Sequence, residues 1–404
     1  MKILFLSRWY PQPADNGAKL RVLNLIKQLS ARHEVSLASF ASEAPNLDAM
    51  RPWCANVLTA RYRAFRPGNA RALAGFLSPV PRSFIDTHST EFAHLAQEEA
   101  QRFEPDVVIA SQVDMAPYAA ALKVNDTCKR IFEEVEVSLL RDAAQNGNLH
   151  ARLTWAKSRR YLGQLLHAFD GCTVASPQEQ THVAGLIAKD MPLAVIPNGV
   201  DVEACARVQA MPQPDTLIYN GALTYHANFD AVDYFVRDIL PLIQTSHPHV
   251  KLYVTGSLEG VPLDRLPHND GVVFTGYLDD VKQRVAESWV TIAPLRVGGG
   301  TRLKILESLA LGTPVVATTK GAEGLSLRPN HDVLLADSPA EFAAHVVRVL
   351  ESLRIRADLS AHGRMAVGAN YDWHQIGRRL NEFVDGIAGT QTSVDTERVT
   401  AQTI

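Results

Sequence analysis

Arg302 and Lys304 stand two residues apart, directly after Gly298, Gly299, Gly300 and Thr301 and shortly before Glu307. Consecutive glycines let the backbone take positive φ and come close to a ligand, because no Cβ intervenes. Thr301 reads as the N-cap of a helix over residues 302 to 311. The start of a helix leaves N–H groups unpaired and carries the positive end of the dipole, so phosphate is its natural guest. Two cations in that first turn oppose the dipole, and helix stability does not account for them. An anion held there resolves the conflict. The competing reading pairs Lys304 with Glu307 on a helix face, worth only about 0.2–0.5 kcal/mol.

The surrounding elements are those such a site needs. Residues 290 to 295, VTIAPL, make an apolar, β-branched run of the kind buried on both faces of a parallel sheet. Gly312 and Pro314 close the helix, and PVVAT is the next strand. The chain opens in a related way, with strand KILFLS, a turn-rich loop to Asn16-Gly17, and a helix over about residues 18 to 31. Lys19 and Arg21 in its first turn repeat the anion-friendly pattern, with Gly17 as the residue of close approach. A simple tight turn is the competing reading. Neither a nucleotide P-loop nor a complete dinucleotide fingerprint is present.

The block from Val290 to Leu325 resembles the donor-binding segment of the family-four glycosyltransferases, retaining enzymes of the GT-B fold. Leu306-Glu307-Ser308-Leu309-Ala310, Gly312-Thr313-Pro314-Val315-Val316 and the turn from Gly321 to Leu325, with Glu323, carry the resemblance. Position 299, where that family has another Glu, is Gly. A second match runs from Asp170 to Asp201, through Ser-Pro-x-Glu and Ile-Pro-Asn-Gly-Val-Asp. Many members place an Arg and a Lys in the loop that here reads Thr224-Tyr225-His226-Ala227-Asn228. This sequence is closer to a branch with a Tyr-x-x-Asn loop, whose basic pair lies in the glycine helix as Arg302 and Lys304 do.

The resemblance implies two facing Rossmann-like, doubly wound domains with the active site in the cleft between them. It implies transfer of a hexosyl or related glycosyl group, with retention, from a nucleotide-diphosphate-sugar donor to a saccharide or lipid-linked acceptor. Gly17, Gly298, Gly299, Gly300, Thr301, Arg302, Lys304, Glu307 and Glu323 are the expected donor-binding residues. Glu307 suits the ribose hydroxyls, because a carboxylate accepts two hydrogen bonds from a diol. Arg302 and Lys304 would neutralise the leaving diphosphate. No Asp-x-Asp run lies in a strand-end loop, so no metal and no separate cofactor is expected. Family members carry a His near the end of the strand that here reads KRIFEEVEV, where Glu133, Glu134 and Glu136 stand instead. Glu134 and Glu136 are the candidates to orient an acceptor hydroxyl or act as a general base; a solvated cluster at a helix start is the alternative.

The expected division is a Rossmann-like acceptor-side domain over residues 1–201, a linker over 202–215 and a donor domain over 216–370. A terminal helix over 371–388 crosses back to the first domain, with Trp373 as its anchor, and 389–404 is a loose tail. At 404 residues the chain exceeds what one core usually supports. A net charge of −3 argues against nucleic acid as the partner. Cys54, Cys128, Cys172 and Cys205 are scattered singly, which fits a reducing cytosol rather than zinc or a disulfide framework. The N-terminal apolar run is too short for a signal peptide, and no run reaches a membrane span.

Residues 49 to 85 differ in character. Arg51, Arg61, Arg63, Arg66, Arg71 and Arg82 occur there with no acidic residue, interleaved with Trp53, Tyr62, Phe65, Phe76 and Phe84. That mix suits an anionic membrane surface, the alternative being an ordinary solvated face. The expectation is a cytoplasmic protein, peripheral on the inner face of the plasma membrane, in surface polysaccharide or glycan biosynthesis. Three other classes fit parts of the sequence: a GT-B nucleotide-sugar epimerase, a catalytically decayed GT-B binding protein, and a dinucleotide oxidoreductase, which the missing fingerprint disfavours.

Overall fold

The computed structural model describes residues 1–41, 44–147, 149–186, 191–298, 300 and 302–389. They form two units. Unit 1 holds Met1–Val174, Glu179–Ile196 and the chain from Gly377 onward; unit 2 holds Ala175–Gln178 and Pro197–Ile376.

Unit 1 is built on seven parallel strands: β1 (Lys2–Ser7), β2 (Glu34–Ala41), β3 (Asn56–Arg61), β4 (Val107–Ser111), β5 (Lys129–Glu133), β6 (Gly171–Val174) and β7 (Leu193–Val195). Their order is β3-β2-β1-β4-β5-β6-β7. Ile3, Leu4, Phe5 and Leu6 are all fully buried, so β1 is covered on both faces and its sequence shows no alternation. Unit 2 repeats the plan with β8 (Gln213–Asn220), β9 (Lys251–Thr255), β10 (Val272–Gly276), β11 (Ser288–Ala293), β12 (Val315–Ala317) and β13 (Leu334–Leu335). Their order is β10-β9-β8-β11-β12-β13. Its core joins Leu217, Val254, Ile292 and Val316 of the strands to Leu306 and Leu309 of the helix Leu303–Leu311.

In each sheet the strand order reverses at one place, between β1 and β4 and between β8 and β11. Doubly wound sheets bind ligands beyond the carboxyl ends of the strands at that reversal. The C-terminal ends of β8 and β11 are therefore where a site in unit 2 is to be sought.

Residues 202–215, expected as linker, include a short helix and the start of a strand, with neither over 207–212. Asp201 caps the helix Val202–Ala206 by accepting from Ala204 N at 2.8 Å, Cys205 is buried, and β8 already begins at Gln213. The Asp that closes the Asn-Gly-Val-Asp turn is an N-cap residue, which is why a helix starts there. Val200 N donates to Tyr371 O at 2.9 Å, and Gly199 is packed so tightly that a Cβ would lie 2.5 Å from Ile376. The helix Trp373–Ala388 begins with a buried Trp373. From Gly377, which lies against Gln28, it belongs to unit 1, where Asn381 donates to Gln28 O at 3.1 Å. Among the described residues no helix is long and apolar enough to cross a membrane. Of the tail expected over 389–404, residues 390–404 lie outside the described residues.

Candidate functional site

Beyond the end of β11 the chain runs through Gly298 and Gly300, both left-handed at φ +95° and +83°. A Cβ on Gly298 would lie 2.9 Å from Ala227 Cβ and 3.1 Å from the Tyr225 hydroxyl, whereas one on Gly300 would meet nothing. Glycine is thus demanded by conformation at both positions and by space at 298 alone. The helix begins at Leu303 with Arg302 in the N-cap position, one residue later than expected. Gly299 and Thr301, both named from the sequence, lie outside the described residues. Gly312 ends the helix in the left-handed conformation at φ +82°.

Lys304 and Glu307, one turn apart, share a helix face, but they are not paired with each other. Each meets one of two consecutive residues at the end of β8. Lys304 Nζ donates to the Tyr219 hydroxyl at 2.9 Å and to Asn228 Oδ1 at 3.0 Å, and lies 4.0 Å from the centre of the Tyr219 ring. Asn220 Nδ2 donates to Glu307 Oε2 at 3.2 Å. Gly221 follows, and a Cβ there would fall 2.7 Å from Lys304 Nζ. Lys304 keeps some exposed surface, while its head is enclosed by Tyr219, Gly221 and Asn228. Those partners are uncharged, and among the described residues the ammonium makes no ion pair. Burial, with the nearby Arg302 charge, pushes its pKa down to about 7.

Arg302 is held differently. Only 5% exposed, it donates to Gly298 O at 3.0 Å and Lys320 O at 3.1 Å, and stands 3.9 Å from Glu323. It fastens the glycine loop to the turn containing Glu323, which Lys320 also holds at 2.5 Å. Burial raises the Glu307 carboxyl, against which Lys282 and the Asn220 hydrogen bond work.

In unit 1 the two cations that follow Gly17 have partners within the fold. Gly17 starts the helix Gly17–Ser30, but the Asn16 side chain already accepts from Lys19 N, and Lys19 Nζ is paired with Asp15 at 3.0 Å. Arg21 turns inward, 1% exposed, to meet Glu133 Oε1 at 2.5 and 2.8 Å and Ile196 O at 2.8 Å. Ser111 donates to the other oxygen of Glu133 at 2.7 Å. A fully buried carboxylate needs this counter-charge, because an ion left alone in a low-dielectric interior costs several kcal/mol.

Gln112 and Glu134, the first residues past β4 and β5, are both left-handed, at φ +70° and +59°. Gln112 Nε2 donates to Glu134 Oε2 at 3.2 Å, and Arg21 lies 3.6 Å from Glu134 Oε1. Burial raises the Glu134 carboxyl to about 7, Arg21 opposing and Glu133 adding to the shift. A group poised near neutrality can take up or release a proton. Glu136 is exposed and has no part in these hydrogen bonds. Among the described residues no group of three His, Cys, Asp or Glu side chains is placed to hold a metal ion.

Sequence reasoning missed Tyr219, Asn220 and Gln112, and quoted Asn228 only as part of a loop. The one signal available was a polar Asn-Gly ending an apolar strand, TLIYNG.

The sequence matches the family description "Glycosyltransferase Family 4" over residues 15–204 and "Glycosyl transferases group 1" over residues 214–352. A phosphatidyl-myo-inositol mannosyltransferase of Propionibacterium freudenreichii is 32% identical over 153 residues, 35% of this chain and 36% of that protein. An uncharacterized 44.6 kDa protein in the cps region of Klebsiella pneumoniae is 20% identical over 168 residues, 40% of this chain and 43% of its own. The chain thus matches well under half the length of these curated relatives. Among solved structures, sucrose-phosphate synthase of Thermosynechococcus elongatus superposes with a TM-score of 0.71 at 16% identity, covering 96% of this chain and 100% of the other. Anabaena Alr3699/HepE in complex with UDP and glucose gives 0.67 at 16% identity, with the same coverage. Two parallel Rossmann-like sheets and these neighbours make the fold GT-B. With both halves matched, the chain belongs to the family-four glycosyltransferases, glycosyl transferases group 1.

Proposed function

We propose that this glycosyltransferase moves a hexosyl or related sugar, with retention and without a bound metal, from a nucleotide-diphosphate-sugar to a saccharide or lipid-linked acceptor. The observation that carries the reading is the Lys304 ammonium, enclosed by Tyr219 and Asn228 with no carboxylate partner among the described residues. It stands beside the start of the helix Leu303–Leu311, where N–H groups and the dipole favour an anion. A diphosphate there supplies the missing counter-charge, and as the bond from the anomeric carbon to the phosphate oxygen breaks, Lys304 and the helix start stabilise the charge that develops.

Arg302 keeps the Gly298 loop and the Glu323 turn in register for that ligand. Glu307 accepts from the ribose hydroxyls, Glu323 and the 321–325 turn hold the sugar, and Gly17 belongs to the donor set through its helix start. In unit 1 Glu134, with Glu136 as the outlying carboxylate, orients the acceptor hydroxyl or takes its proton as the new bond to the anomeric carbon forms. The UDP named in the HepE structure supports a uridine nucleotide. Assembly of a surface polysaccharide or glycan at the inner face of the plasma membrane is the setting we infer.

A thermal-unfolding panel of nucleoside diphosphates and their sugars tests the reading, since a ligand at about 100 times its Kd adds about 2.7 kcal/mol of stability. No stabilisation by any of them overturns it. Mass analysis of donor incubated alone separates transfer from epimerisation, which would convert the donor without an acceptor.

A further inference from the structure

Two stretches of unit 1 contain no Asp or Glu: residues 49 to 85 and the helix Leu149–Leu166. The fold brings them together. Lys157 Nζ donates to Gly75 O at 2.7 Å, and Tyr161, one turn on, packs against Phe84 with ring centres 5.1 Å apart. Residues 153 and 149 lie on the same stripe of that helix, one and two turns before Lys157. At that corner Leu73, Phe76 and Leu77 are 51%, 57% and 95% exposed, and Leu149 and Leu153 are 71% and 61% exposed. Single exposed apolar side chains are normal; five on neighbouring elements mark a surface that something covers.

The charge carried by the two stretches themselves has one sign. Arg82 lies 3.8 Å from the centre of the Phe76 ring, and Arg63, Arg66, Arg71 and Arg152 are exposed. Asp86, the acid that ends the first stretch, is buried and accepts from Arg66 N at 2.8 Å and from Asn69. Apolar side chains set among these arginines complement an anionic lipid surface, where rings and leucines reach the acyl boundary and arginines meet phosphates.

We infer that the corner formed by residues 73–77 with Leu149 and Leu153 docks unit 1 on an anionic phospholipid bilayer. The inference rests, for its purpose, on the lipid-linked acceptor proposed above. A cavity of about 250 Å³ opens beside the two stretches, lined by Arg71, Val80, Phe84 and Tyr161 from them and by His88 and Asp114 from outside them.

Co-sedimentation of the full chain with phosphatidylcholine vesicles, with and without phosphatidylglycerol, tests it at low salt. The expected result is binding that requires phosphatidylglycerol, falls with added salt, and weakens about tenfold or more in Phe76→Ser/Leu77→Ser/Leu153→Ser. All three side chains are exposed, so the melting temperature should stay put, and nucleoside diphosphate should stabilise the variant as it does the wild type. Wild-type protein that ignores phosphatidylglycerol, or a variant that binds as the wild type does, overturns the inference. So does a dimer in solution that the substitutions dissolve while vesicles are never bound. Vesicle binding without nucleotide stabilisation would instead overturn the donor reading alone.

Discussion

The Lys304 ammonium and the Tyr219 hydroxyl, 85 positions apart in sequence, lie 2.9 Å from each other, with the ammonium also 4.0 Å from the centre of the Tyr219 ring. Burial raises the Tyr219 phenol above its ordinary range, so it stays neutral and serves as a dipole rather than a counter-ion. A cation held by a hydroxyl, an amide oxygen and a π face is stabilised less than one beside a carboxylate, and an incoming anion would complete its environment.

The first consequence concerns stability. Lys304→Met removes an enclosed charge that has no ionic partner, so the ligand-free protein should be as stable as the wild type or more so. Affinity for a nucleoside diphosphate should fall about 10- to 100-fold, about 1.4–2.8 kcal/mol. Urea unfolding with and without nucleotide checks both. A large loss of stability with affinity intact would make Lys304 structural.

The second concerns pH. The folded-state pKa of Lys304 is about 7, against about 10.4 for an ordinary lysine. Between those values the unfolded chain binds the extra proton, so this group's contribution to stability rises with pH across that window. A bound diphosphate restores the charge, so binding above pH 7 should take up a proton and weaken as pH rises. Calorimetric titrations in buffers of different ionisation enthalpy should show the uptake in wild type and not in Lys304→Met.

A ribose contact by Glu307, as proposed, would distinguish the nucleoside from the phosphates. Glu307→Gln should weaken a nucleoside diphosphate about tenfold by loosening the ribose contact, and leave inorganic pyrophosphate unaffected. Equal weakening of both ligands would assign Glu307 to holding Asn220 rather than to ribose.

In unit 1, Arg21→Met strands the buried Glu133 and should destabilise the protein by about 3–5 kcal/mol. Arg21→Met with Glu133→Leu should recover much of that loss, because the stranded Glu133 charge is removed and only the partly exposed Glu134 is left without its cation. Glu134→Gln should leave stability nearly unchanged and lower turnover. Urea unfolding and a transfer assay separate the two carboxylates.

How much of this was legible in the sequence depended on distance along the chain. Apolar runs such as KILFLS and VTIAPL showed buried parallel strands, and Gly312 showed a helix end, because each is a local signal. The polar partners of Lys304 were not visible: Tyr219 and Asn228 are 85 and 76 positions away, and only the sheet order puts β8 beside β11. Arg21 read as part of an anion loop for the same reason, since its partner Glu133 is 112 positions on. Residues 202–215 looked like a linker because of Met211-Pro212-Gln213-Pro214, yet a strand can begin within such a run, and Asp201 capped a helix just before it.

The most direct test of the account is the titration of Lys304 itself, followed by NMR of protein labelled at the lysine ε-carbon and assigned with Lys304→Met. Without ligand the midpoint should lie near 7, and it should move upward by more than about two pH units when a nucleoside diphosphate saturates the site. A midpoint that the nucleotide leaves where it was would mean that no phosphate reaches this ammonium, and would contradict the account.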